Sequence, residues 1–269
     1  MKIGINCKWN WIVEEKVVNK LKKAGINIIE ISYKEKKYIP KDEIEFLKGL
    51  GFDYSVHAPY ECIKLKAFPW PRYSKRCIRE VDNSLNDAIK LKASHFVVHG
   101  GAFIKGFYRF KNLVGTDYGL RFSLNRFINN FDKVFKKAEK HGIKVVIENL
   151  YPCFMCGRVF DIKYIQEKLP SVGLCLDFGH SEIYNLTGEL FKLRIDHVHV
   201  SDNNKKEDQH LKIGDGMLDF NKLLKELNKK KYDGKIIIEC KNLEEGINSF
   251  EKLNKKLYKD NKILTIVKK

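Results

Sequence analysis

Short runs rich in Val and Ile alternate along the chain with longer stretches of helical period. The apolar runs cover 3–7, 26–31, 52–57, 95–100, 144–148, 172–177, 195–201 and 235–240. Each is too short for a helix and nearly continuous in its hydrophobicity, which predicts a strand buried on both faces. Between the runs, apolar residues recur every three or four positions across 14–24, 42–50, 74–91, 120–141, 160–168, 220–229 and 247–258. That spacing predicts helices with one buried stripe. Gly25, Gly51 and Gly142 each stand just before a strand, where a helix ends in a left-handed residue. No linker, low-complexity segment or close repeat interrupts the alternation. Eight such strands predict a single (β/α)8 barrel, an α/β fold, over residues 1–269. A doubly wound open sheet is the rival, and no Gly-rich phosphate loop follows the first strand to support it.

In a barrel the C-terminal ends of the strands converge on one face, where active sites are built. Potential ligands collect at those ends. They are His57 in SVHAPY, His99 in FVVHGGA, Glu148 in VVIENL, Asp177 and His180 in CLDFGH, His199 in HVHVSD, Asp208 and His210 in DQHLKIGDG, and Glu239 in IIIEC. Five imidazoles with four carboxylates suit Zn²⁺, or Mn²⁺ and Fe²⁺ where waters complete the shell. Nine ligands exceed what one tetrahedral ion can use, so the count fits two or three ions with bridging carboxylates.

His95 and His197 share strand parity with His99 and His199 but lie one layer deeper, which predicts core histidines. Cys153 and Cys156 form a lone C-x-x-C, weak as a metal motif without a second pair. G-D-G at 214–216 reads as a turn before the next helix.

Composition narrows the class. At 43% hydrophobic and 32% charged residues the chain can bury a core and stay solvated, which excludes a disordered chain. No apolar run approaches the roughly 18–20 residues of a membrane span, and no signal-peptide core opens the chain. Seven scattered cysteines, an odd number, suggest a reducing compartment, hence the cytoplasm.

At its ligand motifs the sequence resembles the xylose-isomerase-like barrels, and within them the endonuclease IV family of apurinic/apyrimidinic endonucleases. H-A-P-Y, V-H-G-G, I-E-N, D-x-x-H, H-x-x-D and D-x-H-x-x-x-G-x-G fall in that family's order. The resemblance implies a trinuclear zinc centre. His57 and His99 would hold a first ion. Glu148 would bridge it to a second, also held by Asp177, His199 and Glu239, and His180, Asp208 and His210 would hold the third. Glu148 and Glu239 would be the catalytic carboxylates, with cleavage of DNA 5′ to abasic sites as the implied activity. Sugar isomerases and 3-epimerases of the same superfamily need essentially Glu148, Asp177, His199 and Glu239, which gives a second reading on a small sugar. Ile29-Glu30-Ile31 and I-G-D-G-M-L-D-F look more like that branch, and 33–40 does not match the endonuclease loop that inserts into DNA.

The chain carries 51 Lys+Arg against 34 Asp+Glu, a formal charge of +17. From Lys64 to Arg126, thirteen basic residues face four acidic ones, so +9 of that excess falls in one quarter of the sequence. Two predicted loops on the ligand-bearing face, after the third and fourth strands, interleave bases with aromatics. Lys64, Lys66, Arg72, Tyr73 and Lys75 lie in or beside the first, and Lys105, Tyr108 and Arg109 lie in the second. Such a surface neutralises phosphates while aromatic rings stack on bases, so these residues are candidate DNA contacts.

Overall fold

The computed structural model describes residues 1–33, 38–59, 75–101, 117–152 and 154–267. Eight parallel strands close in sequence order into a barrel: β1 (Lys2–Lys8), β2 (Ile28–Ser32), β3 (Asp53–His57), β4 (His95–His99), β5 (Lys144–Glu148), β6 (Gly173–Asp177), β7 (Ile195–Val200) and β8 (Lys235–Ile238). Helices lie between them: α1 (Glu15–Lys23), α2 (Lys41–Gly49), α3 (Lys75–Lys90), α4 (Asp117–Lys140), α5 (Val159–Lys168), α6 (Phe178–Ile183), α7 (Thr187–Leu190), α8 (Phe220–Lys229) and α9 (Leu243–Val267). The alternation read from the sequence is the fold.

Helix α8 shows the rule at work. Phe220, Leu223, Leu224 and Leu227 recur at helical spacing and are its buried residues. Asp219 accepts from the backbone N–H of Asn221 and Lys222 at 3.0 and 3.1 Å and so starts the helix. Elsewhere the boundaries shift. The last helix starts at Leu243 rather than 247, and the six-residue α6 and four-residue α7 are too short for a periodicity to announce.

The main apolar core lies between strands and helices, whereas inside the barrel Val97, Val146 and Cys175 form a separate small apolar cluster among the described residues. Much of the remaining interior is polar. At its N-terminal end Lys235 donates to Asp53 and Ser94, each at 2.6 Å. His95 and His197 sit just above, their rings 4.9 Å apart, and burial pushes the His95 imidazole down to about 3. His197 is fully buried and His95 half-buried, both below the layer of the candidate ligands.

Register brings the ligand-bearing ends together. His99 pairs with Glu148 across β4 and β5, and Asp177 pairs with His199 across β6 and β7. Glu239 stands one residue beyond β8, its N–H donating to the carbonyl of Val200 at 2.9 Å.

Candidate metal centre

All nine predicted ligands meet at the barrel mouth. They form four overlapping groups: His57, His99 and Glu148; His57, His199 and Glu239; Glu148, Asp177 and His180; and His180, Asp208 and His210. Within each group one potential ligand atom per residue lies within 4.8 Å of the others.

Glu148 is the hub. Its Oε2 lies 3.1 Å from His57 Nε2, 2.9 Å from His99 Nε2 and 3.4 Å from His199 Nδ1, while Oε1 lies 3.3 Å from His180 Nδ1. One buried carboxylate thus stands against imidazoles from β3, β4, β7 and α6. Burial works against its charge, yet the imidazoles of His99, His199 and His57 hold the carboxyl well below the usual range.

The end of β5 also organises its neighbours. Asn149 accepts from Asp177 N–H at 2.8 Å and donates to the Asp177 carbonyl at 3.0 Å, stitching β5 to β6. Asp177 then accepts from His180 N–H at 2.7 Å, which starts α6 and lifts His180 over the mouth. Burial pushes the Asp177 carboxyl up to about 6.

Asp208 and His210 come from a loop rather than a strand. An antiparallel bridge between Asp202 and Leu211 closes the excursion, and the Asp202 carboxylate accepts from Gly214 N–H at 2.8 Å and Leu218 N–H at 3.1 Å. A Cβ at Gly216 would lie 2.3 Å from Asp202 Oδ1, so this glycine permits the close approach. G-D-G is therefore a loop clamp. The result places Asp208 Oδ2 3.4 Å from His180 Nε2 and 3.2 Å from His210 Nε2. His210 adopts a φ of 46°, a left-handed conformation that costs a non-glycine residue about 1–3 kcal/mol and concentrates at functional sites.

The electrostatics fit a cation. Burial disfavours charge on the imidazoles, but the carboxylates outweigh it, raising His57 to about 9, His180 to about 10 and His210 to about 9. Without ions, protons on these rings balance the carboxylates. His99 is the exception: burial, helped by His57 and His180, holds it low. Both ring nitrogens of His199 are buried without a hydrogen-bond partner, although carboxylate oxygens stand 2.9–3.4 Å away. Clustered carboxylates around such nitrogens are a donor set that metal ions complete.

Two residues at the centre carry no ligand motif. Glu30 on β2 is fully buried against His197 and His199; the sequence marks it only through the likeness of Ile29-Glu30-Ile31 to the sugar-isomerase branch. Cys175 lies with His197 and His199 in a fully buried group one layer down, and burial pushes its thiol well up. Of the C-x-x-C pair, Cys156 packs buried beneath Gly100 and Cys153 lies outside the described residues. Among the candidate DNA contacts, Lys75 is the exposed first residue of α3. Lys64, Lys66, Arg72, Tyr73, Lys105, Tyr108 and Arg109 lie outside the described residues. Among the described residues no helix is long and apolar enough to cross a membrane.

Comparison with known proteins agrees with this architecture. A family model described as a xylose isomerase-like TIM barrel matches residues 18–257. The chain is 30% identical to the uncharacterized protein MJ1614 of Methanocaldococcus jannaschii over 190 residues, 69% of this chain and 70% of that one. A solved D-tagatose 3-epimerase-like protein superposes with a TM-score of 0.80 at 24% identity, covering 98% of this chain and 100% of that one. Endonuclease IV from Thermus thermophilus superposes with a TM-score of 0.70 at 16% identity, covering 96% and 100%. At these identities the likeness is one of fold, which an epimerase-like protein and an endonuclease share. By its sequence match and its closed eight-stranded barrel, the chain belongs to the xylose isomerase-like TIM barrel family.

Proposed function

We propose that the chain is a multinuclear zinc phosphodiesterase of the endonuclease IV type, cutting DNA 5′ to abasic sites. The observation that carries this reading is the rim group of His180, Asp208 and His210, which moving a proton around a single ion would not require. His57 and His99 with Glu148 would hold one ion; Glu148, Asp177, His199 and Glu239 a second; and His180, Asp208 and His210 a third. Zinc ions, when bound, supply an acidified water and positive charge facing the phosphoryl oxygens.

The chain's own groups do the rest. Glu148 spaces the ligand groups through its two oxygens. Glu239 has a side chain 14% exposed at the mouth and steadied by Asn6, which donates to it at 3.3 Å; it can orient a water or hold its proton. The deep candidate ligands are largely buried, where fixed charges act strongly on a developing one. The charge of +17, concentrated between Lys64 and Arg126, favours a polyanion over a neutral sugar. An abasic nucleotide is cheap to extrude into such a pocket, because no base pair is lost.

A sugar epimerase or isomerase is the second reading, and one feature favours it. Glu148 and Glu239 each stand 3.4 Å from His199 Nδ1, two carboxylates around one ligand nitrogen, as an acid/base pair flanking a single ion would be. Incubating zinc-loaded protein with a duplex containing one abasic analogue, beside a ketose panel, separates the readings. Incision 5′ to the lesion supports the first; ketose turnover with an intact duplex replaces it with the second.

A further inference from the structure

Three imidazoles at the centre have a distinct partner beside their second ring nitrogen, a hydrogen-bonded carbonyl for two and a carboxylate at ion-pair distance for the third. His57 Nδ1 lies 2.7 Å from the carbonyl of Ala58, and His180 Nδ1 lies 2.9 Å from the carbonyl of Asn149. Both partners are neutral backbone groups. His199 differs: its Nε2 lies 2.9 Å from Glu30 Oε1, a carboxylate with no solvent exposure.

A lone carboxylate in that position would be expelled or protonated. Glu30 is instead met on every side. Asn6 Nδ2 donates to Oε1 at 3.3 Å, Ser55 Oγ donates to Oε2 at 3.0 Å, and His197 Nε2 meets Oε2 at 2.8 Å. The same Asn6 amide also reaches Glu239, tying Glu30 to the mouth. The arrangement gathers four polar side chains, from β1, β3 and β7, around one buried charge on β2. Structural cores rarely retain so costly a network, because a well-packed apolar interior is often as stable or more so.

We propose that Glu30 is the positioning residue of the centre: it fixes the proton of His199 on Nε2, so that Nδ1 presents its lone pair to an ion between Glu148 and Glu239. A carboxylate behind an imidazole both orients the ring and makes it a stronger donor, and loss of such a partner costs metal affinity about 10–100-fold. His57, backed by a carbonyl, lacks that gain, and the carbonyl on His180 Nδ1 leaves Glu148 Oε1 farther off, at 3.3 Å. The ion on His199 is therefore the tightest of the set. His197 anchors the other oxygen of Glu30, which gives this core histidine a purpose.

The inference rests on the metal reading above but not on the substrate. Its test reads zinc and protons rather than cleavage, so an intact duplex would leave it standing. Long-range ¹H–¹⁵N spectra of zinc-loaded wild-type protein should show His199 protonated at Nε2 and metal-bound through Nδ1. Chelator competition should give a tightest zinc site that weakens about 10–100-fold in Glu30→Gln. The zinc bound by the rim group should change by less than about threefold, since no second-sphere partner of that group is altered. Ser55→Ala, which removes one support of Glu30 and keeps the carboxylate, should weaken the tightest site by a smaller factor. Should Glu30→Gln fail to fold, the wild-type spectrum and Ser55→Ala still decide. A His199 proton on Nδ1 in the wild type would overturn the inference. So would an unchanged tightest site in folded Glu30→Gln, or in Ser55→Ala where Glu30→Gln does not fold.

Discussion

The deep and rim halves of the ligand set are built differently. His57, His99, Glu148 and Asp177 end rigid parallel strands, and His199 sits inside one; among these five only His99 exceeds 10% side-chain exposure, at 17%. Asp208 and His210 ride on a loop held by the Asp202 clamp, with side chains 25% and 32% exposed and His210 in a left-handed conformation. Strand ends fix ligands by register. A clamped loop fixes them by a few hydrogen bonds and local strain. The deep half should therefore bind ions tightly and define the fold of the mouth, while the rim half should exchange its ion and tune the reaction.

The largest effect belongs to the hub. Glu148→Gln removes the one carboxylate shared by four imidazoles, so incision should fall by about 10³-fold or more, at least the loss seen when a preorganised electrostatic group is removed. Elemental analysis should show loss of deep zinc, and steady-state incision of an abasic duplex reads the rate. Retained zinc with near-normal incision would mean that Glu148 is not a bridge.

At the rim, Asp208→Asn exchanges a carboxylate for a neutral, poorer ligand. One zinc should be lost and incision should drop by about 10²-fold, with duplex binding retained. Loss of every zinc in this variant would erase the distinction between the halves. Asp202→Ala, which touches no ligand but unpins the loop, should weaken the same zinc by about 10-fold, a second-sphere effect measurable by chelator competition.

Acid–base behaviour sharpens the comparison. His57, His180 and His210 are raised from 6.5 to about 9, about 10 and about 9. Groups raised on folding contribute stability in full below their unfolded value and lose it as pH rises through the folded one. The thermal midpoint of metal-free protein should accordingly fall between pH 6.5 and about 10. Zinc affinity should move the opposite way and rise with pH, because binding must displace those protons. A level midpoint across this window would contradict the assigned network. The smallest effect concerns the basic loops. Replacing Lys64, Lys66, Arg72 and Lys75 together with Ala should lower the slope of log affinity against log salt by up to about 0.9 per lost phosphate contact, with zinc content unchanged. An unchanged slope would remove that loop from the interface.

The barrel was legible because parallel strands buried on both faces leave apolar runs too short for helices, alternating regularly with stretches of helical period. The meeting of the nine candidate ligands was legible because strand ends converge, so residues far apart in sequence share one rim; Asp208 and His210 came through their D-x-H spacing. What stayed hidden depends on three-dimensional neighbours. Ile29-Glu30-Ile31 stands out in the sequence only as a likeness to the sugar-isomerase branch; that Glu30 meets His197, His199, Ser55 and Asn6 emerges from the fold. The Asp202 clamp needs the fold of its loop, and helix α6 is set by the Asp177 cap rather than by any stripe.

Counting metal and watching one strand break tests the central claim most directly. Protein reconstituted with zinc and freed of excess ion should hold close to three zinc per chain by elemental analysis, and the same sample should incise a duplex 5′ to a single abasic analogue. One zinc per chain together with an intact duplex would contradict the account and hand the barrel to sugar chemistry.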